Sequence, residues 1–136
     1  MSIETPDGVA IADWLVVAPG EDAAAAREDA KRQIAFHATV RTYDRILDLH
    51  GFTELAAEIR ELWRSFDLPA MTSLVTDEML DVMAVAGTPE ECRQRVAERA
   101  KNVERLLLGA PVVATDPGRI RDYHDAIIDT FGTRGR

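Results

Sequence analysis

Few residues in this 136-residue chain combine the type and the spacing that chemistry needs. The densest group is Val85-Ala86-Gly87-Thr88-Pro89-Glu90-Glu91-Cys92-Arg93, where a short apolar run breaks at glycine and a helix begins. Thr88 has the side-chain oxygen that an N-cap needs. Pro89 suits the first helical position, and Glu91 stands three residues on, closing a capping box. A helix that starts at the end of a strand is also where α/β enzymes hold phosphates. Gly87 and Thr88 thus read as helix punctuation, and whether they also belong to a cofactor site is a question for the rest of the chain. Cys92 falls in the first helical turn, a position that lowers a thiol pKa, although packing is the commoner use of a cysteine there.

The three histidines, His37, His50 and His124, sit on separate helical positions, and none has a glutamate three residues before it. With one cysteine and no close histidine pair, no metal site is expected. His50 lies in the last turn of its helix, where a cation favours the dipole. His37 and Tyr43 lie near the middle of a long helical segment, as candidates for substrate contact or for an interface. Gly-x-Gly-x-x-Gly and the P-loop pattern are both missing, which argues against a Rossmann nucleotide site and a nucleotide triphosphatase. Glu28 and Arg32, at i and i+4, read as a solvated surface pair.

The elements that must position these residues follow from periodicity. Residues 9–18, "VAIADWLVVA", read as a mostly buried strand ended by Pro19-Gly20. A helix from Glu21 to His50 follows, with Gly51 as its stop and with Phe36, Val40, Tyr43 and Leu47 on one face. At ~1.5 Å per residue it would approach 45 Å. Thr53 caps a second helix carrying Leu55, Ile59, Leu62 and Phe66. Two short helical pieces come next, the second opened by Thr76 or Asp77. "MAVAG" is a strand into the capped helix, "VERLLLGAP" another strand, and the last helix is capped by Asp116 with Ile120, Tyr123, Ile127 and Phe131 as its stripe. The tail "TRGR" reads as frayed. Strands separated by helices imply a parallel sheet.

Composition bounds the rest. Hydrophobic residues are 46% and charged residues 29%, a globular balance, and the formal net charge is −8. Such an acidic chain is expected to bind neither nucleic acid nor anionic membrane. A single cysteine excludes an intramolecular disulfide and suits a reducing compartment. The opening residues "MSIETPDG" lack the marks of a secretory signal, and the longest apolar run, Val9 to Pro19, is too short to span a bilayer. A cytoplasmic location is the expectation.

Three stretches, in order, resemble the C-terminal part of the bacterial luciferase-like monooxygenase family, a group of flavin- and deazaflavin-dependent oxidoreductases built on a TIM barrel. "LVVAPGEDAAAARE" is similar to the family's late barrel strand and following helix. "IAFHATVRTYDRILDLHGF" is similar to its insertion helix, and "VTDEMLDVMAVAGTPEECRQRV" to its Val-x-Asp-Glu segment leading into Gly-Thr-Pro-Glu-Glu. In place of the family's Ala-Gly turn before the last strand, this chain has Lys101-Asn102.

The resemblance implies a single helix-dominated α/β domain, a partial TIM-barrel-like (βα) fragment with a long helical insertion. It also implies FMN or the deazaflavin coenzyme F-420 as cofactor, with Gly87 and Thr88 on the ligand face. A barrel needs about 250 residues, so 136 cannot hold eight βα units. The expected partner is therefore a second copy, or a chain supplying the rest of the barrel, and the isolated chain is expected to bind cofactor weakly or not at all. A non-catalytic accessory protein derived from the family, or a piece of a longer enzyme, is the alternative.

Overall fold

The computed structural model describes residues 12–101 and 103–132. The expected start of the first strand at residues 9–11 and the tail at 133–136 lie outside the described residues. Three strands, seven α-helices and a 3-10 turn follow in the order β1 (Ala12–Pro19), α1 (Ala23–His37), the turn (Arg41–Tyr43), α2 (Asp44–Leu49), α3 (Thr53–Trp63), α4 (Leu68–Leu74), α5 (Asp77–Met83), β2 (Ala84–Gly87), α6 (Pro89–Ala100), β3 (Arg105–Gly109) and α7 (Pro117–Phe131). The chain is α/β and dominated by helix, with a helical insertion between its first two strands.

Strand β1 is apolar on both faces, so it is stable only in the middle of a sheet with cover on each side. Leu15 and Val17 point one way, Val16 and Ala18 the other, and all four are buried. β1 pairs in parallel with β2 from Val16 opposite Ala84 to Pro19 opposite Gly87, and with β3 from Ala12 opposite Arg105 to Val16 opposite Gly109. The strand order is β2-β1-β3. Consecutive barrel strands are neighbours; here the crossover through α6 carries the chain past β1 to its other edge.

Each face of β1 has its own core. Val16 and Ala18 join Ile34, Leu47, Ile59, Met71, Met79 and Leu80 beneath α1–α5. Leu15 and Val17 join Val85, Cys92 and Val96, with Ile127 and Phe131 of α7 against them. The ion pairs of Arg27 with Asp77 and Asp81, and of Arg95 with Asp81, tie α1, α5 and α6 together at the rim.

The expected 30-residue helix from Glu21 to His50 is not one helix. α1 stops at His37, Val40 is extended (φ −94°, ψ 125°), and the chain resumes as a 3-10 turn and then α2. The β-branched pair Thr39-Val40 sits at the break, and the Thr39 hydroxyl donates to the Phe36 carbonyl at 2.7 Å, which closes the helix end. Fifteen residues of α1 span about 22 Å, close to the roughly 26 Å of an eight-residue strand, so α1 ends where β1 begins. A 45 Å helix would have overrun the sheet. Phe36, Val40 and Tyr43 consequently do not share a helical face.

Gly51 does end α2, at φ +78°, with the Phe52 N–H donating to Leu47 O at 2.8 Å and the Gly51 N–H to Asp48 O at 3.2 Å. Thr53 is not the cap of α3. Phe52 holds that position, and the Thr53 hydroxyl donates to Asp48 Oδ1 at 2.7 Å instead. α3 ends at Trp63, so Phe66 leaves the expected stripe; its φ is +55° and it is 77% exposed. Thr76 caps α5, and Asp116 caps α7 ahead of Pro117 as its sequence requires.

Ile34 is fully buried at the centre of the larger core. Ile34→Ala is expected to destabilise the fold by about 2–5 kcal/mol, read as a lower urea midpoint with an unchanged m-value.

A candidate functional site at the carboxyl ends of the strands

Gly87 ends β2 at φ +152°, where any side chain would be strained, and a Cβ would also stand 3.3 Å from Glu91 Oε1. Its carbonyl accepts from the Gly20 N–H at 2.9 Å, which ties the loops after β1 and β2 together. The capping box at Thr88 is complete. Thr88 Oγ1 accepts from the Glu91 N–H at 3.3 Å, and Glu91 Oε1 accepts from the Thr88 N–H at 3.2 Å and from its hydroxyl at 2.9 Å. The Thr88 backbone N–H, with the hydroxyl adding to it, holds the Glu91 carboxyl below the usual glutamate range.

Cys92 is buried, and its S–H lies 3.8 Å from Gly87 O. Burial, with the Glu91 charge adding to it, pushes the thiol up to about 11, and Cys92 packs in the smaller core with Leu15, Val17 and Val96.

In front of this cap lies a cleft of about 580 Å³, within the range of small-molecule sites. Its walls come from the loop after β1 (Pro19, Gly20, Glu21, Asp22), from Pro89, and from Arg119, Asp122 and Tyr123 of α7. Open α/β sheets bind ligands at this place, outside the carboxyl ends of strands whose crossovers diverge. Pro89 reaches the cleft; Gly87 and Thr88 stand behind it.

The wall between α1 and α7 is held by a buried carboxylate. Asp29 is 2% exposed, and a charge so placed must be paired. Its Oδ2 accepts from the Tyr123 hydroxyl at 2.5 Å and from Arg119 at 2.5 Å, while Arg32 reaches Oδ1 at 3.0 Å. Burial, together with the bond to Asp29, pushes the Tyr123 phenol up to about 12, so it keeps its proton at neutral pH.

Sequence periodicity does not show this cluster: Tyr123 reads as one more apolar position, and the i, i+4 spacing pairs Arg32 with Glu28, whereas in the fold Arg32 pairs with Asp29. The available signal was Asp29 itself, on the buried face of α1 with Ala26, Ala30, Gln33 and Ile34.

His37 and Tyr43 are brought together, but at the other end of the sheet. Their rings stack with centroids 4.8 Å apart and planes 4° apart, next to Trp14, whose ring centroid is 5.6 Å from that of His37. Trp14 and Pro19 are five residues apart on β1, so this group is about 17 Å from the cleft. The cavity that His37 and Tyr43 line is about 140 Å³, too small for a flavin ring.

Gln33 determines the state of His37. Its Oε1 accepts the N–H groups of Val112 and Val113 at 2.9 and 3.0 Å, so its amide nitrogen faces His37 Nε2 at 3.0 Å. Nε2 must then accept, the ring is neutral, and its proton rides on Nδ1. His50 and His124 are exposed. Among the described residues, no group of three or more His, Cys, Asp or Glu is placed to hold a metal ion. No helix among them is long and apolar enough to cross a membrane.

Fold and cleft define an α/β protein with a ligand-sized opening at the carboxyl ends of parallel strands. The family model for luciferase-like monooxygenases matches residues 3–104, and the chain belongs to that family. An uncharacterized protein of Mycobacterium tuberculosis is 33% identical over 97 residues, covering 68% of this chain and 28% of that protein. The 5,10-methylenetetrahydromethanopterin reductase of Methanolobus tindarius is 31% identical over 110 residues, covering 79% of this chain and 33% of the reductase. The reductase of the same name from Archaeoglobus fulgidus is 34% identical over 73 residues, covering 49% and 22%. The chain thus spans about a third or less of the length of these relatives.

Two outcomes follow from the geometry. Tyr123→Phe removes one donor from a buried carboxylate and is expected to cost about 1–3 kcal/mol in urea unfolding. For His37, burial lowers the folded pKa below 6.5, so its contribution is complete above pH 6.5 and is lost as pH falls toward the folded value. Protonation would set an N–H against the Gln33 amide nitrogen. Between about pH 7 and pH 5, the unfolding midpoint of the parent protein should fall relative to that of His37→Phe, in which carboxylate effects are shared.

Proposed function

We propose that the chain forms part of a luciferase-like, flavin- or deazaflavin-dependent oxidoreductase, with its cofactor site completed by a second copy or by another chain. The observation that carries this reading is the cleft at the carboxyl ends of β1 and β2, in a chain of this family. The two methylenetetrahydromethanopterin reductases among its relatives favour a reductase chemistry. In such a site the protein positions the cofactor ring and excludes water, and the redox chemistry belongs to the cofactor. The part assigned to this chain is the wall formed by the β1–α1 loop, Pro89 and α7. The cytoplasm is the location this chemistry and the single cysteine favour.

An uncovered apolar strip supports completion by another chain. Trp14 is 47% exposed and Leu107, opposite it on β3, is 55% exposed; Val112 follows just beyond. Their side of the sheet is the one that α1–α5 cover over β1. Exposed apolar area of this kind favours association. Light scattering at micromolar concentration is expected to give a dimer or larger assembly, and Leu107→Asp should shift it toward monomer. A sharp monomer for the parent chain overturns completion by a second copy.

A further inference from the structure

A flavin or deazaflavin of the family's kind carries phosphate, and the residues around the cleft do not fit that group. Three helices begin at this end of the sheet, and each has a carboxylate of this chain hydrogen-bonded to a backbone N–H of its cap or first turn. Asp22 Oδ1 accepts from the Ala25 N–H at 3.1 Å at the start of α1. The Glu91 capping box closes α6, and Asp116 Oδ2 accepts from the Gly118 and Arg119 N–H groups at 3.0 and 3.3 Å at the start of α7. An anion that approached these ends would meet the resident carboxylates of Asp22, Glu91 and Asp116, whose charge opposes the pull of the helix ends.

The side chains repeat the message. Glu21, Asp22 and Asp122 line the cleft, and among the described lining residues Arg119 is the one cation. Its guanidinium is already bound to Asp29 Oδ2 at 2.5 Å and lies 3.4 Å from the Ala25 carbonyl. A phosphate placed here would face three carboxylates and would have to compete with a buried one for Arg119.

We infer that this cleft rejects phosphate. The part of a flavin or deazaflavin that this chain meets is the ring end, away from the phosphate, and the cations that hold the phosphate belong to residues outside this chain. The inference rests on the reading proposed above and divides its site into two contributions, apolar and acidic walls here and the phosphate clamp elsewhere.

The test compares riboflavin, which has the ring without the phosphate, with FMN, by quenching of flavin fluorescence as the full chain is titrated in. Riboflavin is expected to bind about ten-fold or more tighter than FMN at low salt, with the gap closing as salt screens the charges. The exposed pair Glu21→Gln and Asp122→Asn, which leaves the Asp22 cap intact, should improve FMN several-fold more than it changes riboflavin. FMN binding as tight as riboflavin, or tighter, overturns the inference. If the parent chain binds neither flavin, a gain of FMN binding in the double variant supports it, and no gain overturns it. A monomeric chain that still discriminates would remove completion by a second copy and keep this inference, with the clamp on a different chain. An oligomer that does not discriminate would do the reverse.

Discussion

A strand with apolar side chains on both faces cannot sit at a surface, and the rest of this structure is arranged around that constraint on β1. Four consecutive buried residues, Leu15 to Ala18, demand a layer on each side. The helical insertion supplies one layer and the pair α6 and α7 supplies the other. β1 also needs a neighbour along both edges, and β2 and β3 take them. Because the three strands run parallel, the loops after them lie at one end, and the cleft forms there, where the crossovers from β1 and β2 leave for opposite faces.

The cleft's shape depends on Asp29. A carboxylate on the buried face of α1 would be costly alone, and the fold sets Tyr123, Arg119 and Arg32 around it. Tyr123 and Arg119 come from the last helix, so this polar contact locks α7 against α1 across the mouth of the sheet. The same contact engages the guanidinium that might otherwise bind an anion. Stability of the wall and rejection of phosphate thus arise from one arrangement.

The opposite end of the sheet is aromatic rather than acidic. Trp14, His37 and Tyr43 form one group, and Phe36 connects it to Trp63 and the exposed Phe66, with successive ring centroids 5.5–6.4 Å apart from His37 outward. The neutral His37, held by Gln33, links this surface to the backbone after β3 through Val112 and Val113. One polar side chain on α1 therefore couples the aromatic end to the loop that leads into α7.

Local chemistry determined what could be read directly from the sequence. The apolar runs identified the strands, and the stop at Gly51 and the caps at Thr76, Thr88 and Asp116 were legible because a cap is made within four residues of chain. The capping box at Thr88 was readable for the same reason, and the family resemblance followed from the order of such segments. Tertiary structure decided the rest. Where α1 ends depends on the length of the strand beneath it, which no helix periodicity contains, so the expected Glu21–His50 helix breaks at Thr39-Val40. The strand order β2-β1-β3 depends on which edge of β1 each crossover reaches. Asp29 and Tyr123 lie 94 residues apart in the chain, and their pairing exists only once α1 and α7 have packed on the same end of the sheet. The sequence placed candidate residues on elements; packing separated Thr88 from His37 and Tyr43 by the length of β1, because a helix returning antiparallel to a strand carries its last residues to the strand's first.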